Sequence, residues 1–174
     1  MLALLPLAQV EPQAVETLLD RAFGADRRTR TAYRVRAGTR AIPELSFAAV
    51  RDDGALAGTI QCWPVALACD GGGMVPLVMV GPVAVDPLWQ QEGIGRALME
   101  RMLEAAAESD VPGGDALMLI GDPEYYGRFF AFEASRTGQW RLPGPFEPHR
   151  LLARGPGVPE RAGLLGPRVL KAAA

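Results

Sequence analysis

The run Val78-Met79-Val80-Gly81-Pro82-Val83-Ala84-Val85 followed by Asp86-Pro87-Leu88-Trp89-Gln90-Gln91-Glu92-Gly93-Ile94-Gly95-Arg96-Ala97-Leu98 constrains this chain more than any other stretch. It reads as a buried strand that passes through a short turn into a helix with a glycine-rich first turn. Gly93 and Gly95 lack a Cβ, so a ligand can approach the main chain closely. The unpaired N–H groups of the first helical turn point outward with the positive end of the helix dipole behind them. Such a junction is suited to hold a phosphate. The competing explanation is close packing of the helix on the sheet, which also favours glycine.

The flanking pattern narrows the anion. A dinucleotide fingerprint asks for a third glycine at position 98, where Leu98 stands, and a P-loop asks for Gly-Lys-Ser/Thr, which occurs nowhere. Both nucleotide classes are therefore excluded. Charge excludes others: the net value of −2, with Lys171 the sole lysine, provides no field for nucleic acid or an anionic membrane. The apolar opening, Met1 to Ala8, has no charged leader, breaks at Pro6 and meets Glu11, so it is expected to be a first strand and not a signal sequence or membrane span. Cys62 and Cys69 have neither Cys-x-x-Cys spacing nor a histidine cluster and are expected to be free thiols of a cytoplasmic protein without a metal.

Along the chain, apolar residues at Val15, Leu18, Leu19, Ala22 and Phe23, with Pro12 near the start, predict a helix over Val10 to Phe23. Asp26 to Arg36 is a basic stretch, expected to be a short helix or ordered loop with a solvated face. Strand-type alternation begins at Leu45, and Asp52-Asp53-Gly54 between apolar runs predicts a hairpin. Asp70-Gly71-Gly72-Gly73 makes a second turn into a strand over Val75 to Val85, and Pro82 removes a ladder donor from it. The clearest helix runs from about Gly93 to Ser109, and Ala116 to Ile120 is an apolar run of the kind that a central strand buries on both faces. A short helix is expected over Pro123 to Phe130, and closing strands over Phe132 to Trp140 and His149 to Ala153. The expectation is one domain over residues 1–154, with a glycine- and proline-rich tail over 155–174 that holds no assigned element.

The antiparallel meander, the strand interrupted at Gly81-Pro82 and the order Gln90-x-x-Gly93-x-Gly95 opening a helix together resemble the GNAT superfamily of acyl-CoA-dependent N-acyltransferases. Gly81 to Pro87, Gly121-Asp122-Pro123-Glu124-Tyr125-Tyr126 and Leu142 to Pro148 are similar to a bacterial, YhbS-like subgroup. The resemblance covers nearly all of Leu2 to Ala153. It implies an α/β (α+β) fold with a mixed, mostly antiparallel central sheet of about six to seven strands, two of them splayed, and about four helices.

It also implies roles. The main chain of Gln91, Glu92, Gly93, Ile94, Gly95 and Arg96, after Gln90, would cradle the pyrophosphate of acetyl-CoA, and Val83, Ala84 and Val85 would hydrogen-bond the pantetheine arm as a neighbouring strand does. Arg96 would add a charge-assisted contact. The N–H of Val83 would serve as oxyanion donor. Tyr126, with Tyr125 as alternate, would donate a proton to the departing thiolate, because a phenol stays protonated at neutral pH. His149, Glu44 and Asp70 are the base candidates. Two positions depart from the family pattern: Gln90 replaces the arginine of many members, and Ala131-Phe132 stands where Gly-Phe is usual. The implied activity is acetyl transfer to the primary amine of a small molecule or peptide, by a chain that can pair as a homodimer. A non-catalytic acyl-CoA-sensing module is the alternative.

Overall fold

Apolar alternation and glycine turns lay down eight strands and four helices in the computed structural model, which describes residues 1–169. In chain order these are β1 (Leu2–Pro6), α1 (Pro12–Phe23), α2 (Thr31–Val35), β2 (Phe47–Arg51), β3 (Leu56–Cys69), β4 (Met74–Val85), α3 (Ile94–Glu108), β5 (Leu117–Ile120), α4 (Pro123–Phe130), β6 (Trp140–Arg141), β7 (Leu151–Arg154) and β8 (Gly163–Pro167). The strands pair in the order β1-β2-β3-β4-β5-β7, and β8 pairs with both β3 and β6. The described residues divide into two compact units, and β3 and β4 contribute to both.

The first unit comprises Met1–Thr29, Ala41–Cys62 and Val80–Ser109. Here β1 runs antiparallel to β2, from Leu2↔Arg51 to Pro6↔Phe47, and β2 runs antiparallel to β3 with a bulge between Ala49 and Val50. Pro12 begins α1, where its missing N–H has no cost, and Gly24 at φ 93° ends it. The helix buries Val15, Leu18 and Leu19 against Ala84. Helix α3 buries Ile94, Leu98, Met99, Met102 and Ala106. Its close approach depends on Gly58: a Cβ there would lie 2.9 Å from the Ala84 carbonyl, 2.9 Å from Ile94 Cγ2 and 3.1 Å from Leu98 Cδ1. The basic stretch is not wholly a solvated face. Arg27 is only 2% exposed, pairs with Asp20 at 2.9 Å and also with Glu16, and Glu16 takes Arg28 at 2.7 Å as well.

The second unit comprises Arg30–Arg40, Trp63–Met79 and the chain from Asp110. Within it β4 is parallel to β5 through Val78↔Leu117 and Met79↔Met118, the pairing expected of a strand that returns after a helical crossover. Strand β7 runs antiparallel to β5, and Leu67, Leu77, Met118, Leu151 and Leu165 are among the side chains that fill the core. Three sequence expectations change here. Phe132 to Trp140 is not a strand: Glu133 makes a single bridge to Ala153, and the polar Ser135-Arg136-Thr137-Gly138 segment turns instead, with Thr137 Oγ1 donating to Leu151 O at 2.7 Å. His149 stands in a 3-10 turn, Pro148–Arg150, ahead of β7. Beyond Arg154, where no element was expected, Gly163–Pro167 forms β8 antiparallel to Val65–Cys69 of β3. Residues 170–174 of the expected tail lie outside the described residues.

Candidate functional site

Val83 to Val85 and Gln90 to Arg96 all belong to the first unit. The chain leaves β4 at Val85 and is anchored at once by Asp86, which is 2% exposed. The Asp86 N–H donates to Ala57 O at 2.8 Å. Its carboxylate accepts from the Leu88 N–H at 2.9 Å and pairs with Arg21 at 2.8 Å. Asp86 thereby caps the 3-10 turn over Pro87–Trp89, and the proline after it fixes the turn's entry. Sequence reading overlooked this anchor, although Asp-Pro after a strand is a turn signal.

After the turn the backbone takes two left-handed steps, at Gln91 (φ 68°) and Gly93 (φ 79°), before α3 begins at Ile94. The first helical hydrogen bond runs from the Ala97 N–H to Gly93 O at 3.0 Å, so the N–H groups of Ile94 and Gly95 precede the first intrahelical donor. No side chain caps this end. A Cβ built on Gly93 meets nothing within 4 Å, and one on Gly95 meets Val85 Cγ2 at 3.6 Å and Val83 Cγ1 at 3.9 Å, ordinary contact distances. The packing explanation for these two glycines therefore fails, and the packing glycine is Gly58. Gln90, Gln91, Glu92, Gly93 and Arg96 are exposed, whereas Ile94 is buried and offers only its main chain. The Arg96 Nε donates to Glu100 at 3.0 Å, one turn along the helix.

Glu92 pairs with Arg51, Nη1 to Oε2, at 3.0 Å, and the same guanidinium lies 4.7 Å from the centre of the Trp89 ring. The last residue of β2 thus reaches both sides of Gln90-Gln91, just ahead of the two glycines.

Tyr125 and Tyr126 lie on α4, in the second unit. Asp122 caps this helix by accepting from the Glu124 N–H at 2.9 Å. The two rings meet edge to face with centroids 4.9 Å apart, and Tyr126 also packs edge-on against Phe132 at 6.4 Å. Gly121 makes room for it, because a Cβ there would come within 2.6 Å of the Tyr126 ring. Burial, reinforced by Tyr125 and Asp122 and opposed by Arg150, pushes the Tyr126 phenol up to about 12, so the hydroxyl keeps its proton at neutral pH. Ala131 ends α4 in the left-handed conformation, φ 59°, that glycine adopts more easily, and Phe132 behind it is buried.

Of the base candidates, Asp70 accepts from both terminal guanidinium nitrogens of Arg141, at 2.7 and 2.8 Å, and this holds its carboxyl below the usual range. A proton acceptor needs the opposite shift. Glu44 and His149 are exposed residues of 3-10 turns. Cys62 and Cys69 are free and buried, and burial raises the Cys62 thiol. Among the described residues no group of three or more His, Cys, Asp or Glu is placed to hold a metal ion, and no helix is long and apolar enough to cross a membrane.

A family model of the acetyltransferase (GNAT) domain matches residues 6–129. The solved GNAT family N-acetyltransferase YhbS of Escherichia coli, in complex with CoA, is 22% identical, with 97% of this chain and 89% of that one covered and a TM-score of 0.70. A GNAT family acetyltransferase of Brucella melitensis, in complex with acetyl-CoA, is 24% identical over 97% of this chain and 96% of its own, with a TM-score of 0.62. A GCN5-related N-acetyltransferase of Kribbella flavida is 21% identical over 76% of this chain and 33% of its own, with a TM-score of 0.55. At these identities the likeness is one of fold. No curated protein matches.

Proposed function

Since the chain belongs to the GNAT acetyltransferase family, we propose that it transfers an acetyl group from acetyl-CoA to a primary amine by direct attack on the thioester. The observation that carries this reading is the start of α3. Its N–H groups are uncapped, Gly93 is left-handed and open, and neither Gly93 nor Gly95 serves packing. The helix end then receives the diphosphate of the donor through the main chain of Gln91 to Arg96. Val83 to Val85 supply the strand main chain for the pantetheine amides, and the Val83 N–H faces the thioester oxygen. That the YhbS and Brucella melitensis structures hold CoA and acetyl-CoA supports the same donor here.

The amine nitrogen attacks the carbonyl carbon, negative charge gathers on the carbonyl oxygen, and the adduct collapses with cleavage of the carbon–sulfur bond. The net proton movement is from amine to thiol. Tyr126 assists by donating a hydrogen bond to the sulfur as it leaves. Its phenol, at about 12, sits above the model thiol value of about 8.5, so it stays protonated through the cycle and solvent completes the proton exchange. The acceptor is a small molecule or peptide amine.

The test is thiol release from acetyl-CoA against a panel of amines, amino acids, polyamines and peptides, with Tyr126→Phe in parallel. Turnover should fall by about tenfold or more in the variant while acetyl-CoA still raises its melting temperature. A chain that binds acetyl-CoA but releases no thiol with any amine would be a sensing module instead.

A further inference from the structure

Glu92 is anomalous for a phosphate loop, because its carboxylate springs from the middle of the segment whose N–H groups await an anion. Left unpaired, it would repel a diphosphate at short range. The structure shows how that charge is occupied: Arg51, at the end of β2, donates to Glu92 at 3.0 Å and is steadied over the Trp89 ring at 4.7 Å. A guanidinium resting on an indole face keeps its plane and loses less freedom when it pairs. Trp89 and Glu92 flank Gln90 and Gln91, so the one arginine ties both sides of the loop's first left-handed step to β2.

Resting on the acetyl-CoA reading above, we infer that Arg51 is a positioning residue for the donor: it neutralises Glu92 and draws it off the anion site, leaving the first turn of α3 free for the diphosphate. Arg51 itself makes no contact with the phosphates in this arrangement. Its partner's side chain is half exposed, so pairing, and not burial, is what controls the Glu92 charge.

The distinguishing experiment is calorimetric titration of CoA into four full-length chains: wild type, Arg51→Gln, Glu92→Gln and the double variant, each first shown folded by its thermal transition. Arg51→Gln should weaken CoA binding about fivefold at low salt, the worth of one uncompensated charge close to a diphosphate in a solvated site. Glu92→Gln should bind at least as tightly as wild type, and the double variant should recover to within about twofold of wild type, since no charge remains to be neutralised. Arg51→Lys should lie between wild type and Arg51→Gln. Failure of the double variant to recover would overturn the inference, because an arginine that touches phosphate, or merely braces the loop, is not rescued by removing Glu92. Unchanged binding by Arg51→Gln would overturn it equally. If wild type itself does not bind CoA, the donor reading fails and the inference with it, an outcome plainly separate from these two.

Discussion

Replacing each loop glycine with alanine separates backbone geometry from packing. At Gly95 the added Cβ would meet Val85 Cγ2 at 3.6 Å and Val83 Cγ1 at 3.9 Å, so nothing has to move. Alanine is the better helix former, and at this first-turn position Gly95→Ala should gain about 0.5 kcal/mol. At Gly93 space is open but φ is 79°, and holding alanine there should cost about 1 kcal/mol. For a chain of this length each kcal/mol moves the melting temperature by about 2–4 °C, so Gly95→Ala should melt about 1–2 °C above wild type and Gly93→Ala about 2–4 °C below it. Circular dichroism melts in one buffer measure both. Adding CoA provides the second axis: the Gly93 methyl would stand in the open space over the loop, so the ligand-induced rise should shrink in Gly93→Ala. A Gly95→Ala chain melting well below wild type would refute the argument, since it would mean that α3 needs glycine there to approach β4.

Three further outcomes are expected. Ala131→Gly should stabilise the chain by about 1 kcal/mol, read from the urea midpoint, because Ala131 occupies a left-handed helix end at φ 59°. The folded chain raises the Tyr126 phenol from 10.0 to about 12, so this group's contribution to stability is whole below pH 10 and is lost as pH climbs toward 12. Tyr126→Phe, with no proton to lose, should therefore show a shallower fall in stability across that window in urea titrations. Buried Cys62, its thiol raised by desolvation, should resist alkylation in the native state and react once denaturant unfolds the chain.

The fold was legible where periodicity was long. The spacing of Val15, Leu18 and Leu19, the apolar run ending at Ile120 and the Asp53-Gly54 turn each announce one element, and each element is present. Short elements escaped. β6 has two residues, and β8, Gly-Leu-Leu-Gly-Pro, has too few side chains to alternate, so its pairing is decided by the backbone edge it meets. Arg27 looked like a surface charge because sequence does not reveal that Glu16 and Asp20, one turn apart on α1, face it. At the site, the glycines and the helix start were readable because they are contiguous. Gly58, Arg21 and Arg51 were not, because each acts on the loop from 30 or more positions away, through contacts that only folding creates.

β8 bears on where this protein can be cut. Pairing with β8 satisfies the main chain of Val65–Cys69 and shields that length of β3. A chain ended at Arg154 would bare a row of unpaired amides and carbonyls along an apolar strand, an invitation to join another sheet. Trimmed versions are therefore expected to self-associate, which light scattering would detect, while versions that keep Gly163–Pro167 are not. Gly163–Pro167 acts less as an appendage than as a guard against sticking to its own kind.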